Sequence, residues 1–144
     1  MRHRVYGQHL GRDKNQRAAL IKGLIRSLFL HESITTTEAK IKAIKGVVDR
    51  LITKAKQGNN SSKNYILSLV PDEEVRKKLI SEIASRYSER TSGFATTVRL
   101  GARSGDGAMM VRMSLIEGDK RKVSLGKETR GISKRKEKKA EKEK

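Results

Sequence analysis

The chain has 144 residues, the length of one typical domain, and carries 34 Lys and Arg against 16 Asp and Glu for a formal net charge of +18. That excess repels itself in a compact state and calls for a polyanionic partner, while a hydrophobic share of only 35% leaves part of the chain without a core of its own. Cysteine is absent, which excludes a disulfide framework and thiolate zinc sites and fits a reducing cytoplasm, and no apolar run approaches the roughly 18 residues that span a bilayer.

Residues 1–12 read as a basic arm, because Arg2, His3, Arg4, His9 and Arg12 sit on backbone that Gly7 and Gly11 interrupt. Residues 13–117 read as an α+β domain. Asp13 is placed to cap a first helix, with Gln16 completing a capping-box pattern, and Leu20, Ile21, Leu24, Ile25 and Leu28 follow at helical spacing. That helix is predicted to end near His31, since Ser33, Ile34, Thr35 and Thr36 suit a short strand. Thr37 then caps a second helix whose apolar stripe is Ile41, Ile44, Val48, Leu51, Ile52 and Ala55, closed by Gly58. The polar run from Gln57 to Lys63 reads as a loop, and Tyr65, Ile66 and Leu69 as a short helix that Pro71 ends. Asp72 caps the next helix, with Val75, Leu79, Ile80 and Ile83 on its buried side. Glu73 and Glu74 in its first turn and Arg86 in its last suit the helix dipole, so the acids Asp72, Glu73 and Glu74 serve a helix start and not catalysis.

From Phe94 onward the period becomes alternating, and Ser104-Gly105-Asp106-Gly107 separates two runs as a hairpin loop does. A two-residue turn at Asp106-Gly107 sets Ala102 opposite Val111, Leu100 opposite Met113 and Val98 opposite Leu115, one apolar side against the helices. Arg99, Arg103 and Arg112 then fall on the outer side; a four-residue loop shifts the pairing by two and keeps the same sides. Residues 118–144 are a basic low-complexity tail that cannot make a core. The expected fold is thus α+β in the order α-β-α-α-α-β-β, with a small mixed sheet, helices packed on one face, and basic segments at both ends.

The candidate binding residues are cations. The arm residues, then Lys14 and Arg17, Lys22 and Arg26 opposite the first apolar stripe, Lys40 and Lys42 on the second helix, and the arginines Arg99, Arg103 and Arg112 form a set suited to phosphate. Aromatic residues make up only 3% and do not cluster on one strand, so recognition of RNA shape and backbone is expected over base stacking. His31-Glu32 lacks the second histidine of a zinc helix, because position 35 is Thr, and Gly101, Gly105 and Gly107 precede a strand where a dinucleotide fingerprint needs a helix. With no base-oriented serine and no metal cluster, neither catalysis, a cofactor nor a small-molecule substrate is expected. A DNA-binding nucleoid protein and an RNA-modifying enzyme remain the alternatives on composition alone.

Two ordered motif sets narrow this. Met1-Arg2-His3-Arg4, Gly7, Leu10, Arg12, Arg17, Leu28, His31-Glu32, Ile34, Thr35-Thr36, Lys40, Lys42, Leu51-Ile52-Thr53 and Ala55-Lys56 form the first. Arg86, Arg90, Gly93-Phe94, Gly101, Arg103, Gly105-Asp106, Ala108 and Met110 form the second. Together they closely resemble the bacterial large-subunit ribosomal protein seventeen family from Met1 to about Glu117, although Gly11, Gln16, Gly46, Thr96 and Met109 depart from its pattern. The resemblance implies the same element order. It also implies a structural role on large-subunit ribosomal RNA near the outlet of the peptide tunnel, beside neighbouring large-subunit proteins in the cytoplasm.

Overall fold

A computed structural model describes residues 8–116, so the arm residues Arg2, His3 and Arg4 and the tail 118–144 lie outside the described residues. The elements come in the expected order. They are helix α1 (Lys14–His31), strand β1 (Ser33–Thr37), helix α2 (Glu38–Gln57), helix α3 (Asn60–Leu69), helix α4 (73–86), strand β2 (Ala95–Ala102) and strand β3 (Met109–Leu115). Residues Asp13, Thr37 and Asp72 take the extended backbone that a cap needs, at φ −64°, −70° and −69°. Their side chains, however, make no cap hydrogen bond. Asp72 instead commits its carboxylate to Arg26, 2.7 Å away.

Every residue of the predicted α2 stripe is buried, as are Ile25, Leu28 and Phe29 of α1. Helix α3 begins well before Tyr65: its first turn, Asn60-Ser61-Ser62-Lys63, carries no apolar residue for a periodicity to register. Ser62 is nevertheless buried, and its hydroxyl donates to Gln57 Oε1 at 3.3 Å. Helix α4 is α-helical over Glu73–Lys78, π-helical over Leu79–Ile83 and α-helical again over Ala84–Arg86. Its widened turn, in which the Ala84 N–H bonds the Leu79 carbonyl, directs Leu79, Ile83, Ala84 and Tyr87 inward and leaves Ile80 exposed, against expectation.

The sheet has the order β1-β3-β2 and is antiparallel throughout, which corrects the expected mixed sheet. Both β1 and β2 run against β3, so no pair of neighbours is parallel. At the hairpin tip Ala102 pairs with Met109 and the Arg103 N–H reaches the Ala108 carbonyl at 2.8 Å, closing a four-residue loop. One step inward the register slips: Arg99 pairs with Val111 and Gly101 with Met110, leaving Leu100 as a bulge. Gly101, at φ +119°, supplies backbone that a side chain would strain. The odd shift reverses the faces of the inner half of β2. Ala95, Thr97 and Arg99 lie on the helix side with Leu115, Met113 and Val111, and Val98 lies beside Arg112 on the open side, 54% exposed. The expected outer position therefore holds for Arg112 and fails for Arg99.

The core lies between the helices and the inner side of β3, where Val111, Met113 and Leu115 meet Phe29, Leu51, Ile83 and Phe94 in one buried cluster. Three ties fix its rim. Tyr87 packs on Phe94 with ring centroids 5.3 Å apart while its hydroxyl donates to the Ile116 carbonyl, and burial pushes that phenol's pKa up. Asp49 Oδ1 accepts the Phe94 N–H at 3.3 Å. At the end of α1, Glu32 takes the left-handed cap position at φ +59° and receives Arg86 through two bonds of 2.7 and 3.1 Å, with Lys78 at 3.4 Å.

Candidate nucleic-acid interface

The predicted cations fall into two groups once their neighbours are known. The side chains of Lys14, Lys22, Lys40 and Arg112 have no hydrogen-bond or ion-pair partner among the described residues. Lys45 and Arg50, exposed on α2 and outside the predicted set, join them. The second group is tied. Arg26 pairs with Asp72 at 2.7 Å, Lys42 and Arg99 both with Glu38 at 3.0 Å, and Arg103 with Asp106 through bonds of 3.0 and 2.6 Å.

The end of the arm is folded back on itself. Leu10 and Gly11 both take left-handed backbone, the Arg12 guanidinium donates to the Leu10 carbonyl at 2.7 Å, and Arg17 Nη1 stands 3.1 Å from His9 Nδ1. This turn sets Arg12 and Arg17 at the start of α1, near Lys14. Gln8 reaches the first turn of α2 and the hairpin, sharing a shallow open depression with Thr37, Glu38, Lys42 and Met109. The structure thus brings the arm's end, the start of α2 and the base of the hairpin loop to one side. It keeps Arg112 apart on the open sheet face, between Thr35 and Val98, and turns Arg26 toward the start of α4.

Two acids organise these cations. Glu38 bridges α2 and β2, and the hydrogen bonds from Lys42 and then Arg99 hold its carboxyl below the usual carboxylate range. Asp106, bound by Arg103 and by the Ala108 N–H, is lowered to about 2, and Arg103 is raised in turn. Arg103 is therefore a staple of the hairpin loop as well as a cation. Only the spacing of Glu38 four residues ahead of Lys42 was legible as a helical ion pair; the approach of Arg99 depends on the bulge.

Among the described residues no group of three or more His, Cys, Asp or Glu side chains could hold a metal ion, and no helix is long and apolar enough to cross a membrane. The surface offers cations at spacings set by two helices and a hairpin, a layout that can neutralise phosphates along a folded strand.

The chain is 44% identical over 128 residues to the large ribosomal subunit protein bL17 of Thermodesulfovibrio yellowstonii, covering 89% of this chain and 96% of that protein. It is 43% identical over 118 residues to the protein of the same name from Hydrogenobaculum sp., covering 81% and 100%. It is 38% identical over 130 residues to that of Geobacter sulfurreducens, covering 90% and 74%. A family model described as ribosomal protein L17 matches residues 20–116, from the middle of α1 to the end of the sheet, and the chain belongs to that family.

Proposed function

We propose that the chain is a structural constituent of the large ribosomal subunit that binds and stabilises folded large-subunit ribosomal RNA through phosphate and shape contacts, and so serves translation and subunit assembly. Membership of the family carries the reading, and its bacterial relatives bear the name of a large-subunit protein. The charge supplies the physical means: 34 cations against 16 acids need a polyanion to offset their repulsion. The protein works in the cytoplasm, beside neighbouring large-subunit proteins, without cofactor, membrane or small-molecule substrate, and it catalyses nothing.

In this reading Arg2, His3, Arg4, His9 and Arg12 of the arm, Lys14, Arg17, Lys22 and Arg26 of α1, Lys40 and Lys42 of α2, and Arg99, Arg103 and Arg112 of the hairpin meet the RNA. Guanidinium forks grip phosphates and lysines act as point charges. If about eight of these cations meet phosphates, the log-log dependence of affinity on salt has a slope of roughly −6 to −7. Arg2→Ala together with Arg4→Ala weakens binding to large-subunit ribosomal RNA and flattens the slope by about one for each phosphate no longer neutralised, read from filter binding across a salt series. An unchanged slope refutes the arm as a phosphate clamp. Sucrose-gradient sedimentation tests the wider reading: the chain is expected with the large subunit after a moderate salt wash, and recovery with chromosomal DNA overturns it.

A further inference from the structure

Glu38 is an anion among cations that are proposed to meet RNA, where a carboxylate should repel phosphate. Its geometry gives a reason for its presence. The same oxygen, Oε1, accepts from Lys42 Nζ at 3.0 Å and from Arg99 Nη2 at 3.0 Å, so the two cationic nitrogens lie no further apart than twice that distance. The Glu38 side chain is only 26% exposed, while Lys42 and Arg99 are 62% and 72% exposed. The acid is therefore tucked beneath the pair, and the cations form the outer surface. Without it, two like charges so close repel and their long side chains separate.

We infer that Glu38 is a positioning residue, a fixed internal counterion that holds Lys42 of α2 and Arg99 of β2 together as one two-pronged site for the sugar-phosphate backbone of RNA. The inference rests on the proposed RNA-binding role. Each cation uses one N–H on Glu38 and keeps others directed outward, since an ammonium has three and a guanidinium five. The fork also spans two elements distant in sequence, so its spacing is set by the fold before RNA arrives. Both side chains then surrender less freedom on binding. The bulge at Leu100 is part of the device, because it places Arg99 on the helix side of β2, within reach of the first turn of α2.

The test turns on sign, using the full chain and transcribed large-subunit ribosomal RNA. Removing a carboxylate from a cationic protein ordinarily tightens RNA binding and steepens the salt slope. Glu73→Gln, which removes an acid paired with Lys77 on the exposed face of α4, serves as that reference. Glu38→Gln is expected to do the opposite and weaken binding about three- to tenfold, without a steeper slope. Glu38→Asp, which keeps the charge and shortens the reach, is expected to weaken it as well, and both variants should melt within a few degrees of the parent. If Glu38→Gln tightens binding as Glu73→Gln does, or Glu38→Asp binds like the parent, the positioning role is overturned while the RNA reading stands. If the parent chain fails to bind the RNA at low salt, both readings fall together.

Discussion

Strands β2 and β3 belong to one hairpin, yet they live in different environments. Strand β3 is paired on both sides and alternates cleanly, with Val111, Met113 and Leu115 buried and Arg112 exposed between them. Strand β2 is paired on one side only and is exposed at seven of its eight positions, bulged at Leu100, with no apolar row facing the helices. An edge strand is free to bulge because nothing on its outer side must keep step with it, whereas a slip in a central strand would break two ladders at once. The core side of the molecule, α2 against β3, should therefore bear most of the stability, and the edge strand β2 little of it. Substitutions in the two regions can break or sharpen that contrast.

The largest effect is expected at Leu51, fully buried in α2 against the sheet. Leu51→Asp places an unpaired carboxylate in that core and costs on the order of 4 kcal/mol, a large part of the roughly 5–15 kcal/mol that stabilises a small domain. A thermal melt of the variant should show the transition lowered by tens of degrees or abolished. An unaltered melting temperature would remove Leu51 from the core and collapse the contrast.

A smaller effect is expected at Glu32, which ties the end of α1 to α4 through Arg86 and Lys78 and, by its carbonyl, to the Leu115 N–H of β3 at 2.9 Å. Glu32→Gln keeps the size and the left-handed backbone, so it isolates the charge. Solvent screens a carboxylate that is 36% exposed, and the expected loss is about 1–2 kcal/mol. The Arg86 hydrogen bonds hold the Glu32 pKa below its ordinary 4.5 in the folded state, so the stabilisation is present above pH 4.5 and fades as the pH falls through the folded value. Parent and variant melting temperatures should differ at pH 7 and converge in acid. A gap that persists at low pH would assign the loss to packing instead of charge.

How much of this was legible in the residues follows from the same contrast. The α2 stripe, the left-handed Gly58, the element order and the inner side of β3 were readable because each is dictated by a period or a glycine that a single segment carries. The start of α3, the π turn in α4 and the face of Arg99 were not. A polar first turn has no apolar period, a widened turn shifts phase without changing composition, and one bulged residue reverses a strand. The cations of the candidate site were visible as charges, but their sorting into tied and untied sets depended on Glu38, Asp72 and Asp106. These acids meet partners through the fold or the hairpin loop, and of their ion pairs only the helical one with Lys42 shows in the spacing.

The finest test compares one substitution at two valines of the same hairpin. Val→Thr preserves shape and exchanges a methyl for a hydroxyl, so its cost reports on whether that hydroxyl can reach water. Val111 is 3% exposed on the inner side of β3, while Val98, beside Arg112 on the open face, is 54% exposed. Val111→Thr should cost at least about 1 kcal/mol more than Val98→Thr, which should stay within about 0.5 kcal/mol of the parent. Had the hairpin kept an even register along its whole length, Val98 would face the helices and the two costs would match. Urea denaturation of both variants thus measures the bulge in solution: equal costs would restore the even register and, with it, take Arg99 away from Glu38.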